Sequence, residues 1–396
     1  MNSQEIIALT DKYYLPVFGR NQIALDHGEG VKLYDAEGKE YLDFLAGIAV
    51  NGLGHNHPAI VKAISEQAAK LIHCSNLYYT EIQAKCVQLL AEVSQFDRVF
   101  LCNSGAEANE GALKLARKYG VAKNPKKFKV ITALNSFHGR TMETLTATGQ
   151  DHYHEGLEPL PAGFVYVPFG DLQALEKVMD DEVCGVLLEP IQGEGGVYVP
   201  PEGYLQQVKA LCAKHDALLI FDEIQSGVCR SGKWFAWMHS GVKPDIMTMA
   251  KAMGGGFPMG AFVVTERLAH VFAPGDHGTT FGGNPLSCAA SYAAISTMKA
   301  LKLDEAAAKT GAYFKGELQK LQKKFPTKIK EVRGEGLILG LELTKPGAPV
   351  VKAALDKGLI INCTAGKVIR LVPPLIITKE DIDKLITAFA AIFADF

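Results

Sequence analysis

Lys251 follows the apolar run Asp245-Ile246-Met247-Thr248-Met249-Ala250 and stands just before Gly254-Gly255-Gly256. An amine held beside an apolar strand end loses hydration, so its pKa falls and its neutral form can attack a carbonyl to make a Schiff base. The competing reading is a lysine whose stem lies on apolar surface and whose ammonium reaches water. Asp222 ends a second apolar run, Ala217-Leu218-Leu219-Ile220-Phe221, and is followed by Glu223, Ile224 and Gln225. Open α/β sheets present ligand-binding groups at such carboxyl ends, while Asp222 alone reads equally as the N-cap of the next element. A third segment, Asn103-Ser104-Gly105-Ala106-Glu107, joins an apolar run to a helical stretch. A small-residue turn at a helix N-terminus offers free N–H groups and the positive end of the macrodipole to a phosphate. Ser104 and Glu107 also read as a capping box, which is compatible with that use.

A phosphate cup, a carboxylate and a lysine on neighbouring strand ends meet the needs of one cofactor. Pyridoxal phosphate needs an amine for its aldehyde, an acid to keep its ring nitrogen protonated, and an anchor for its phosphate. The elements that must position these groups are short β-rich runs, Arg98–Cys102, Lys129–Ala133, Cys184–Glu189, Ala217–Asp222, Asp245–Met249 and Ala261–Thr265. They alternate with helical stretches such as Ala106–Tyr119 and Glu202–His215, the pattern of an α/β domain with a mostly parallel central sheet and helices on both faces. After about Pro285 the texture changes to a long Ala/Lys-rich helical stretch, Cys288–Lys324, followed by Gly334–Leu343, Val368–Val372 and a closing helix Lys379–Ala394. The expected organisation is a large cofactor-binding domain over 51–287 and a smaller α+β domain over 288–396, with residues 1–50 packing on the smaller one.

Composition narrows the function classes. The 396 residues carry 41 Lys plus Arg against 43 Asp plus Glu, a net charge of −2, so no basic surface points to nucleic acid. Eight cysteines are scattered without a C-x-x-C pair and are expected to be reduced core residues. Glu5, Asp11 and Lys12 interrupt the N-terminal apolar residues, which is not the layout of a signal peptide. The stretch Ala252–Val264 is broken by glycines and Pro258, short of the roughly 18 apolar residues of a membrane span. A soluble, cytoplasmic protein with no membrane partner is expected. Gly227 to Lys233 nearly spells a nucleotide-binding loop, but Trp234 stands where a hydroxyl must meet magnesium. His55-x-His57 and His152-x-His154 lack the further ligands that would complete a zinc set, so no metal is expected.

Six stretches taken together carry a resemblance. Asn103-Ser104-Gly105-Ala106-Glu107-Ala108-Asn109-Glu110, Phe137-His138-Gly139-Arg140, Glu189-Pro190-Ile191-Gln192-Gly193-Glu194-Gly195-Gly196, Asp222 to Gly227, Lys251 to Gly256 and Thr280-Phe281-Gly282-Gly283-Asn284-Pro285 resemble, in order, the signatures of the class III (ω-amino) aminotransferases. The resemblance covers essentially the whole chain and implies the pyridoxal-phosphate fold of type I. It also implies that Lys251 holds the aldehyde and shuttles the proton, that Asp222 pairs with the ring nitrogen, and that Gln225 meets the phenolic oxygen. Phe137 and Ile224 would sandwich the ring. Ser104, Gly105 and Ala106 would hold the phosphate, Glu223 belongs to the same cofactor-binding stretch, and Thr280 would reach the cofactor of a second subunit in a homodimer.

The stretch Gly47 to Pro58 is most similar to members acting on N2-acetyl-L-ornithine, with 2-oxoglutarate and glutamate as the second pair. Ile48 replaces a tyrosine common in ornithine enzymes, leaving a less polar wall for an acylated α-nitrogen. By similarity Arg140 clamps the distal carboxylate, Arg370 takes glutamate's α-carboxylate and otherwise pairs with Glu194, and Thr279 touches substrate. Phe18 and Cys229 depart from the family pattern. Related donors (N-succinylornithine, N-succinyl-diaminopimelate, ornithine, 4-aminobutyrate) stay open, as do a mutase, racemase or decarboxylase with the same cofactor and a non-catalytic binding protein on this scaffold.

Overall fold

A computed structural model describes residues 1–396. Fifteen strands follow one another: β1 Leu25–Glu29, β2 Lys32–Asp35, β3 Glu40–Asp43, β4 Arg98–Cys102, β5 Lys129–Ala133, β6 Phe164–Val167, β7 Val183–Leu188 and β8 Leu218–Asp222. They continue with β9 Ile246–Met249, β10 Gly260–Val264, β11 Ile329–Glu335, β12 Ile338–Leu343, β13 Leu359–Ile360, β14 Asn362–Thr364 and β15 Val368–Leu371.

The central sheet has the order β4-β10-β9-β8-β7-β5-β6. β5–β6, β5–β7, β7–β8 and β8–β9 are parallel, whereas β10 runs antiparallel to both β9 and β4. Six of the seven strands therefore point one way, and the carboxyl ends of β4, β5, β7, β8 and β9 share one edge. Every residue of β7, β8 and β9 is buried, as their continuous apolar runs require of strands covered on both faces. Helix Gly105–Val121 covers the sheet with Ala108, Ala112, Leu115 and Ala116 turned inward.

Two smaller sheets complete the fold. β1-β2-β3 pair with β13 from the far end of the chain, and β11-β12-β15-β14 form an antiparallel sheet. The expected α/β class with a mostly parallel sheet is the one observed. The six expected strands lie within a residue or two of their observed ends. The half-buried edge strand β6 was not anticipated, because four residues next to Gly163 carry little signal.

The single helix expected over Cys288–Lys324 is two helices, Pro285–Ala300 and Leu303–Lys324, broken where Lys302 adopts φ 50°. The first packs against helices Pro58–Lys70 and Glu81–Ser94, and its Pro285 occupies the first turn, so residue 288 lies within this helix. All eight cysteines are unpaired, and no helix is long and apolar enough to cross a membrane.

Candidate active site

The shared edge of the sheet opens into a cavity of about 400 Å³. Lys251, Asp222, Ile224, Gln225, Phe137, Arg140, Glu194 and the turn Ser104-Gly105-Ala106 all line it. They come from the ends of five strands, β4, β5, β7, β8 and β9, or from the loops that follow. The sequence separations among them, up to about 150 residues, vanish because parallel strands return their carboxyl ends to one place.

Lys251 follows β9 in a left-handed conformation, φ 49°, and forms no ion pair. Burial, followed by the charge of Arg370, pulls its amine below the ordinary lysine value, against the opposing carboxylates of Glu194, Asp222 and Glu189. The desolvated lysine foreseen from the apolar run is the arrangement found.

Asp222 is held from several sides. Its Oδ1 accepts the Ile224 N–H at 3.0 Å, and its Oδ2 accepts from Asn109 Nδ2 at 2.8 Å and from His138 Nδ1 at 2.7 Å. Thr248 donates to Asn109 Oδ1 at 2.8 Å, which fixes the amide's orientation. Oδ2 is thereby saturated, so the remaining acceptor capacity of the carboxylate lies on Oδ1.

Ser104 caps helix Gly105–Val121 through the Glu107 N–H at 3.1 Å, and Glu107 reaches back to the Asn103 N–H at 3.0 Å. The N–H groups of Gly105 and Ala106 have no acceptor in the protein and face the cavity. A Cβ on Gly105 would come within 2.7 Å of Ile224, so glycine keeps this cup open.

Arg140 lies across the ring of Tyr153, 3.9 Å from its centroid, and near that of Phe137 at 5.5 Å. The guanidinium keeps its donors free in an environment that suits a carboxylate. Arg370 is fully buried behind the wall, not in it: it pairs with Glu194 and donates to Gln225 Oε1 at 3.0 Å. Burial raises the cost of charging Glu194, but Arg370 outweighs it and holds the carboxyl below the ordinary value.

Besides Arg370, three expected site residues do not line the cavity. Glu223 is turned away: Oε1 accepts the Trp237 N–H at 2.7 Å, while Oε2 accepts the Ala236 N–H at 3.0 Å and the Ser226 hydroxyl at 2.6 Å. Burial raises its carboxyl to about 7, and its side chain braces a loop where a cofactor contact was expected. Thr279 accepts from Asn103 Nδ2 at 3.1 Å, one residue behind the wall, and Thr280 is exposed.

Glu189, by contrast, was given no role from the sequence. It leaves the fully apolar β7 directly into the cavity, accepting the Phe137 and Gly193 N–H groups at 3.2 Å each. Burial and then the charge of Asp222 raise its carboxyl well above the ordinary value. A carboxylate placed immediately after an all-apolar strand was the signal available. His138 and Asn109 carried none, since their partner lies far along the chain.

The wall near Val50 has unusual backbone. Ala46, Gly47, Ile48 and Ala49 form one left-handed helical turn, with φ of 51°, 64°, 66° and 62°, at a cost of about 1–2 kcal/mol for each residue that is not glycine. Both histidines of His55-x-His57 are engaged: His57 caps helix Pro58–Lys70 and His55 bonds Asp43.

The family model described as "Aminotransferase class-III" matches residues 16–393. The chain is 51% identical over 395 residues to the acetylornithine aminotransferase of Methanothermobacter thermautotrophicus, covering 100% of both chains. With that of Caldanaerobacter subterraneus it shares 52% over 381 residues, 96% of each. Among solved structures, the ornithine aminotransferase of Toxoplasma gondii superposes with a TM-score of 0.96 at 35% identity, over 100% of this chain and 96% of that one. The acetylornithine aminotransferase of Elizabethkingia anophelis does so at 0.90 and 39%, over 100% of each. Likeness of this extent, from sequence and from backbone alike, means that the chain belongs to the class-III aminotransferases, which work with pyridoxal phosphate.

Proposed function

We propose that this chain moves the δ-amino group of N2-acetyl-L-ornithine to 2-oxoglutarate, giving N-acetyl-glutamate semialdehyde and glutamate in arginine biosynthesis. The observation that carries the reading is the pairing of Arg370, behind the cavity wall, with Glu194 on that wall, in a cavity that also holds Lys251, Asp222 and an unpaired Arg140. The names of these relatives support the choice of donor.

When bound, pyridoxal phosphate supplies an aldehyde for the amine and a ring that draws electrons from the carbon losing its proton. Lys251 would hold the aldehyde and, once the substrate amine displaces it, its freed amine, which burial keeps toward the neutral form, would carry the proton from the substrate carbon. Asp222 would keep a proton on the ring nitrogen, Gln225 would meet the phenolic oxygen, and Phe137 and Ile224 would enclose the ring. Ser104, Gly105 and Ala106 hold the phosphate at the helix N-terminus.

Arg140 grips the carboxylate remote from the reacting amine in both substrates. With the donor bound, Glu194 keeps Arg370 neutralised; with glutamate bound, Arg370 releases Glu194 and takes the α-carboxylate. One cavity thus serves two substrates by exchanging one ion pair. Thr280, exposed on the single chain, reaches the cofactor of a second subunit in a cytoplasmic homodimer, with Thr279 beside the substrate.

The deciding experiment is a single-turnover absorbance scan of the purified holoenzyme with N-acetylornithine, N-succinylornithine, ornithine and 4-aminobutyrate in parallel. Rapid bleaching of the cofactor band by N-acetylornithine, reversed by 2-oxoglutarate, is the expected result. Bleaching mainly by another donor reassigns the substrate. A band that no amine bleaches removes the transaminase reading.

A further inference from the structure

The left-handed turn Ala46–Ala49 contains Ile48, a β-branched residue, in a conformation that is ordinarily left to glycine. The turn closes with two helical hydrogen bonds of its own, Ala49 N–H to the Leu45 carbonyl at 3.0 Å and Val50 N–H to the Ala46 carbonyl at 2.8 Å. What fixes its start is Asp43. That buried carboxylate accepts the Leu45 N–H at 2.8 Å and the Ala46 N–H at 2.9 Å on Oδ1, and His55 Nε2 donates to its Oδ2 at 2.8 Å.

His55 is itself anchored, its N–H on the Gly30 carbonyl at 2.7 Å and its carbonyl accepting the Gly30 N–H at 3.0 Å. At its other end the turn delivers Val50 to the cavity wall. Asn51 follows, and its Oδ1 is so close that a Cβ on the wall residue Gly256 would stand 3.0 Å from it. A chain of contacts therefore runs from His55 through Asp43 and the strained turn to the surface that a substrate meets.

We propose that Asp43 and His55 are positioning residues for the amine donor, holding the left-handed turn that sets the wall facing the acylamino end of the substrate. The inference rests on N-acetylornithine being the donor. Glutamate has no acylamino group, so a displaced wall penalises the donor and spares glutamate. The pair touches no reacting atom and acts only through the backbone between Leu45 and Val50.

The test compares His55→Leu, His55→Gln and the double variant His55→Leu/Ala49→Gly as holoenzymes. The two half-reactions, with N-acetylornithine and with glutamate, are followed separately, and cofactor affinity is measured by absorbance titration. In His55→Leu the KM for N-acetylornithine should rise about tenfold with kcat within about twofold and the glutamate reaction unchanged, the signature of lost donor binding. Cofactor affinity should not move.

His55→Gln keeps a donor for Asp43 and should stay near wild type. Ala49→Gly should restore donor binding to His55→Leu, because glycine takes positive φ without needing the pair. An unchanged donor KM in His55→Leu, an equal loss with both substrates, or no recovery on adding Ala49→Gly overturns the proposal. Should His55→Leu not fold, His55→Phe removes the donor while keeping ring volume and is read in the same way. A wild-type enzyme that does not convert N-acetylornithine overturns the donor assignment itself, and that outcome is separate from a wild type that converts it beside unaffected variants.

Discussion

His138 donates to Asp222 across 2.7 Å at the floor of the cavity, from a ring nitrogen to the carboxylate oxygen that Asn109 also contacts. In Asp222→Asn, whichever way the amide is turned, either the two donors on Oδ2 or the Ile224 N–H on Oδ1 meets an NH2 group that cannot accept. Turnover should fall by about 10² or more, the scale of a misplaced acid–base partner. Cofactor affinity, read by absorbance titration, should fall with it. Wild-type kcat in Asp222→Asn would remove the ring-nitrogen role.

Lys251→Met should abolish turnover and, in the cofactor-free protein, raise stability. The folded-state amine titrates below its unfolded value, so between the two the unfolded chain binds more protons and stability rises with pH. Methionine removes the penalty of burying the charge, so the variant should melt at a higher temperature at pH 7. The gain should shrink as the pH approaches about 10.4, the ordinary lysine value. Thermal melts at pH 7 and pH 10 on both proteins check the sign.

Glu194→Gln leaves Arg370 buried without its carboxylate partner. Glutamate, whose α-carboxylate can take that place, should bind more tightly, while the donor should lose efficiency by about tenfold or more. The wild-type pair also has an acid limit. Because Glu194 titrates below its ordinary value, its stabilising contribution is complete above about pH 4.5 and is lost as the pH falls through the folded-state pKa. Separate half-reaction kinetics decide the first point and acid melts decide the second.

Glu223→Ala should cost about 3 kcal/mol, since the buried N–H groups of Ala236 and Trp237 each lose their acceptor. Denaturant unfolding measures the loss. Cofactor affinity of the folded fraction should change by less than about threefold, which is under 1 kcal/mol. A large fall in affinity with little loss of stability would return Glu223 to the cofactor.

The cavity's main groups were legible because each ends an apolar strand or opens a helix, and strand periodicity is local. Lys251, Asp222 and Ser104 could be read that way. The residues that orient them could not: Asn109 lies 113 positions from Asp222, and neither its type nor its spacing points there. Glu223 misled because it adjoins Asp222, and successive residues at a strand end face opposite sides. The break at Lys302 was hidden by helix-favouring residues on both flanks, since tertiary packing, not propensity, decides where the chain turns. The left-handed turn at Ala46–Ala49 contains only one glycine, so nothing in its composition announced it.

Arg230 is buried, and its guanidinium donates to the carbonyls of Leu337, at the start of the β12 hairpin, and Pro373, just beyond β15. The strand that carries Arg370 is thereby stapled to the loop that follows Asp222 and Gln225. In the proposed reaction, exchange between the two substrates is a swing of one side chain within this stapled frame. Its rate should be nearly independent of added viscogen, and stopped-flow half-reactions in sucrose would register any dependence directly.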